Sequence, residues 1–210
     1  MRKLLILLLI LLVTFTSVQL WVTQDRTTQK KELDLAPGQA ETQLGGTFTL
    51  TDQSGKQFQD IDFRGKIMLV FFGFTHCPDI CPVTVATLTK AMALLGEKAD
   101  QVVPVFISVD PENDTPAVMK DFLSNFDKRI VGLTGNGDQI KQVAQAYKVY
   151  FSKKDSSAGM SSDTAKDTDS GFDHSAYIYM MGKDGKFIRV FPYNAQEQEI
   201  AGAVDHQLSQ

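Results

Sequence analysis

The chain of 210 residues holds only two cysteines, Cys77 and Cys81, and they lie in the run Phe-Gly-Phe-Thr-His-Cys-Pro-Asp-Ile-Cys-Pro from Phe72 to Pro82. The run begins at the end of an apolar stretch and passes into a pattern of helical period, so both thiols fall at a strand-to-helix junction. A helix N-terminus offers N–H groups without intrahelical partners and the positive end of a dipole, which favour the thiolate. At least one of the pair is therefore expected to be reactive. Proline suits the first helical position, where an N–H would have no partner anyway, so Pro82 predicts a helix beginning near Cys81, with Cys77 in the preceding loop.

Side chains at i and i+4 on a regular helix lie about 5–6 Å apart at Cβ, whereas a disulfide needs about 3.5–4.5 Å. The spacing can close if Cys77 stands outside the helix, and it also suits two sulfurs gripping one soft metal ion. Soft thiolates select copper(I), zinc or iron–sulfur clusters, and two sulfurs alone are too few for the usual four-coordinate zinc or cluster sites. A third ligand would come from His76, His174 or His206, the three histidines of the chain. His206 has an ordinary explanation near the end of a final helix. His76 adjoins Cys77 and could lower its pKa. His174, in Phe-Asp-His-Ser, leads into a strand, and Asp173 could orient its ring. A plain structural disulfide is the competing reading of the cysteines, although so short a loop gains little from closure.

The elements that must position these residues can be read in order. Leu4 to Val22 is uncharged and mostly Leu, Ile and Val, about the length a bilayer requires. It predicts an uncleaved signal anchor over residues 1–22, followed by a polar linker over 23–43 and one domain over 44–210. The formal net charge of −4 and the absence of a basic stripe exclude a nucleic-acid partner. Strands are expected at Thr47–Leu50, Gln57–Ile61, Ile67–Phe72, Val102–Val109, Ile130–Leu133, Ala176–Met180 and Phe187–Phe191. Pro104 marks the start of its strand as irregular or at an edge. Helices are expected after Pro82, after Thr115-Pro116, after a cap at Asp138, and after a capping box formed by Asn194 and Glu197. Tyr150 to Gly171 is too polar to bury a core and reads as a surface loop. The alternation indicates an α/β fold with a mixed central sheet flanked by helices. Cys77 then falls at the carboxyl end of a central strand, where open α/β sheets place their sites.

Three stretches together carry a family resemblance: 72–82, Phe-Ile-Ser-Val-Asp-Pro-Glu-Asn-Asp-Thr-Pro over 106–116, and Asp-His-Ser-Ala-Tyr-Ile-Tyr over 173–179. In that order they resemble the signatures of the SCO/SenC family. The resemblance implies a membrane-anchored, thioredoxin-like copper chaperone for cytochrome c oxidase assembly. It implies Cys77, Cys81 and His174 as ligands of copper(I), copper(II) or both, with Asp110 as a neighbour of the site or a turn residue. The implied partner is the copper-site subunit of the oxidase, with a periplasmic copper donor or thiol reductant beside it. The implied location is the cell membrane, single-pass, with the domain on the extracytoplasmic side. The alternative is a thiol–disulfide oxidoreductase in which Cys77 and Cys81 are the catalytic pair that keeps the oxidase cysteines reduced. A thiol peroxidase is disfavoured, because no Pro-x-x-x-Thr-x-x-Cys pattern precedes Cys77.

Overall fold

The computed structural model describes residues 44–153, 172–174 and 176–210. The expected anchor, the linker and most of the polar segment after Lys153 lie outside them. The strands are β1 (Thr49–Asp52), β2 (Gln57–Gln59), β3 (Ile67–Gly73), β4 (Val102–Ser108), β5 (Val131–Thr134), β6 (Phe151–Lys153), β7 (Phe172–His174), β8 (Tyr177–Met181) and β9 (Phe187–Pro192). The helices are α1 (Ile80–Leu95), α2 (Pro116–Leu123), α3 (Gly137–Ala146) and α4 (Glu197–Leu208). A 3-10 turn, Asp60–Phe63, replaces the expected end of the second strand.

Seven strands form one sheet in the order β2-β1-β5-β4-β3-β8-β9. Its centre, β5-β4-β3, is parallel, and an antiparallel hairpin closes each flank. The α/β class and mixed sheet are as expected. All seven residues of β3 are buried, which explains its unbroken apolar sequence: a strand covered on both faces has no solvent side to mark with polar residues. Each large side chain so buried contributes about 1.5–3 kcal/mol by transfer from water.

Pro104 lies in an interior strand rather than at a sheet edge. The local reason it fits is register, since β3 pairs with β4 from Val102 but β5 joins only at Val105. At Pro104 one side of β4 has no ladder, so a residue without an N–H is tolerated. Gly132 on β5 leaves room for α2, because a Cβ there would come within 2.5 Å of Leu123 and Met119.

Helix α1 buries Cys81, Thr84, Val85, Leu88, Ala91, Met92 and Leu95, an i, i+3, i+4, i+7 face. It packs on β4 and α4. The stretch Ile80–Gln101 is long and apolar enough to cross a membrane, but this buried face makes it a core helix. Thr115 caps α2 as expected, its hydroxyl accepting from Val118 N–H at 3.4 Å, with Pro116 in the first helical position. Two expected caps are corrected. Asn136, not Asp138, caps α3, in a reciprocal box with Gln139 at 2.9 and 2.8 Å. No side chain caps α4, which starts after Gln196 rather than from a box at Asn194. The expected loop after Tyr150 opens instead with β6, which pairs with β7 in a separate two-stranded ribbon.

Candidate metal centre

Strand β3 ends at Gly73, and residues 74–79 turn the chain into α1. Cys77 and Cys81 are both buried, at 8% and 0% exposure, and are held as two thiols. Cys81 is the second residue of α1, and Pro82 is the third, two places further in than the expected first position. The turn is closed by Cys77 N–H donating to Phe74 O at 3.3 Å. It sets Cys77 Sγ 3.5 Å from the backbone N–H of Cys81. The helix N-terminus thus points one of its spare donors at the loop sulfur, as the sequence predicted.

Cys81 itself behaves otherwise. Its hydrogen bond to the Cys77 side chain, its burial and the nearby Cys77 charge push the Cys81 thiol far above the usual thiol range, and Asp114 adds to the effect. Once one sulfur carries the charge, the second holds its proton against both burial and repulsion. A metal cation would remove that conflict by neutralising two adjacent sulfurs at once.

Room for the second sulfur comes from Gly73. A Cβ there would lie 2.8 Å from Cys81 Sγ and 2.9 Å from the ring of Phe106. Nothing in the local pattern marks this glycine as necessary; only the fold, which lays α1 over the end of β3, makes it so.

The β4–α2 loop supplies the other wall. Asp110, singled out from sequence, is buried and serves its own turn: its carboxylate accepts from Asn113 Nδ2 at 2.8 Å, and its N–H donates to Ser108 Oγ at 3.0 Å. The carboxylate that reaches the cysteine loop is that of Asp114. It is fully buried and accepts from Thr75 N–H at 3.0 Å, Thr75 Oγ1 at 2.5 Å and Ser108 Oγ at 2.5 Å. Sequence reasoning missed it; its place in the Asp-Thr-Pro of 114–116 was the available signal. His76 is 67% exposed, with Nδ1 3.2 Å from Thr75 Oγ1 and 3.9 Å from Asp114. His206 lies in the last turn of α4, hydrogen-bonded to Gln210 at 3.2 Å.

His174 ends β7, opposite Phe151 of β6, three residues before β8 begins beside β3. Ser175, which links the ribbon to the central sheet, and the His174 side chain lie outside the described residues. Among the described residues no group of three or more His, Cys, Asp or Glu side chains is gathered as a metal site.

The family model SCO1/SenC matches residues 36–209. The chain belongs to the SCO1/SenC family. One relative of this SCO1/SenC chain is Protein sco1 of Schizosaccharomyces pombe, 41% identical over 163 residues, which are 77% of this chain and 60% of that protein. The chain thus spans less than two thirds of the fission yeast relative. Bradyrhizobium japonicum ScoI with copper bound superposes with a TM-score of 0.67 at 41% identity, covering 78% of this chain and 99% of that one. BsSco, described with a disulfide switch and as a member of the Sco family of cytochrome c oxidase assembly proteins, superposes with a TM-score of 0.61 at 25% identity, over 80% and 94% of the two chains.

Proposed function

We propose that this SCO1/SenC chain is a membrane-anchored metallochaperone that binds copper through Cys77, Cys81 and His174 and delivers it to the dinuclear copper centre of cytochrome c oxidase. The observation that carries this reading is the buried thiol pair at the carboxyl end of β3, with Cys77 Sγ on the first turn of α1. Copper in the matched ScoI structure and the oxidase-assembly description of BsSco support it. The donor set fits: two soft sulfurs and one imidazole suit copper(I), and copper(II) stands at the top of the divalent affinity order. Copper here is cargo. Binding displaces the thiol protons, and a low-coordinate site lets the thiols of an acceptor enter before the first ligands leave.

The anchor expected over residues 1–22 would keep the domain at the membrane on the extracytoplasmic side, near the copper-site subunit of the oxidase. A periplasmic donor would load it. A second reading, a thiol–disulfide oxidoreductase, is favoured by the hydrogen bond between the two thiols and by the disulfide switch described for BsSco. In that reaction the pair loses two electrons and two protons as it forms its own disulfide, and the oxidised cysteines of the acceptor gain them.

Titration of the reduced full chain in detergent with copper(I) and, separately, copper(II), beside His174→Ala, tests the assignment. One equivalent bound by the parent and at least tenfold weaker binding by the variant is the expected result. Binding indifferent to His174, or none, would leave the cysteines as a redox pair.

A further inference from the structure

Asp114 joins two loops that the sequence keeps 39 residues apart. Its side chain is wholly buried, and the only ion pair it makes among the described residues is with exposed His76, 3.9 Å away. A buried carboxylate with so weak a cationic partner is costly, and apolar residues of similar volume often serve a fold as well. Three hydrogen bonds to the charged oxygens offset that cost here.

Where those bonds lead indicates their use. Oδ2 takes the Thr75 N–H from the cysteine loop and the Ser108 hydroxyl from the end of β4, and Oδ1 takes the Thr75 hydroxyl. The Asp114 N–H in turn donates to Asp110 O at 2.9 Å, which fixes the carboxylate on its own loop. Thr75 lies within the turn that Cys77 N–H closes onto Phe74 O, and that turn sets Cys77 Sγ over the Cys81 amide. We infer that Asp114 is the positioning residue of the thiol pair, holding Thr75, and through it the 74–77 turn, so that both sulfurs are arranged before copper or an acceptor arrives. It acts through Thr75 and touches neither sulfur's cargo. Its role rests on Cys77 and Cys81 being the working pair proposed above. Sites whose supporting hydrogen bonds are fixed in advance lose least on loading.

Three variants of the full chain in detergent test this: Asp114→Asn, Thr75→Val and Ser108→Ala. Two quantities are read: copper(I) affinity by competition with a chelator, and the reduction potential of the copper-free Cys77–Cys81 couple. Asp114→Asn is expected to weaken copper(I) at least tenfold and to lower the potential, because the dithiol arrangement loses its support. Thr75→Val should act in the same direction with a smaller effect, since it keeps the N–H bond. Ser108→Ala leaves both bonds to Thr75 and should change either quantity least. Parental affinity and potential in both Asp114→Asn and Thr75→Val would overturn the assignment, as would a Ser108→Ala effect equal to that of Asp114→Asn. If Asp114→Asn does not fold, Thr75→Val decides. If the parent binds no copper, the chaperone reading fails while the potentials still decide the role of Asp114.

Discussion

The two halves of the proposed copper site are built differently. Cys77 and Cys81 belong to the main hydrophobic core, in one cluster with Phe71, Phe106 and Val85, and Asp114 ties their loop to the next strand end. His174 comes from a ribbon of two three-residue strands that pair with each other and not with the seven-stranded sheet. The cysteine half is thus part of what folds the domain, whereas the histidine half stands on a separate ribbon that meets the core through partly buried Phe151. Stability and metal affinity should therefore separate along this division.

The largest expected effect on stability falls on the cysteine side. Gly73→Ala puts a Cβ against Cys81 Sγ, Phe106 and Phe71 at 2.8, 2.9 and 3.1 Å. Overpacking of this kind costs about 1–3 kcal/mol, and for a domain of this size each kcal/mol lowers Tm by about 2–4 °C. Thermal unfolding of the reduced protein checks it. An unchanged Tm would mean that α1 can draw back from β3 freely and that the cysteine half is not part of the rigid core.

A smaller, pH-dependent effect should come from the same side. The Cys81 thiol is raised by its Cys77 hydrogen bond, burial and the Cys77 charge. In the unfolded chain it ionises near the ordinary thiol value of about 8.5. Above that pH the unfolded state binds fewer protons than the folded state, so stability is full below it and declines as pH rises. The reduced, copper-free protein should lose denaturant resistance above about pH 8.5, and Cys81→Ala should flatten that decline. An equally steep decline in the variant would place its cause elsewhere.

The smallest effect on stability is expected for His174→Ala. The ribbon lies outside the main sheet, so the variant should unfold within about 0.5 kcal/mol of the parent while losing copper affinity. A fall in Tm comparable to that of Gly73→Ala would break the comparison, showing that His174 stabilises the fold as much as the cysteine side does.

How much of this was legible beforehand follows from range along the chain. The buried run 67–72, the helical period after Pro82, and the Thr115-Pro116 helix start were readable because each is enforced by neighbours within one or two turns. The caps of α3 and α4 were misread because several polar residues near a helix start satisfy the same local rule, and backbone geometry selects among them. Pro104 signalled the one-sided start of β4, but only register shows that the strand itself is interior.

By itself the sequence determined that two thiols sit at a strand-to-helix junction in an α/β domain, since spacing, periodicity and flanking prolines are local properties. Tertiary structure alone decided that Gly73 must lack a side chain, that Asp114 rather than Asp110 grips the cysteine loop, and that His174 rides on a ribbon of its own. These are contacts between residues distant in the chain. Their existence depends on which elements pack together, and local pattern carries no record of that.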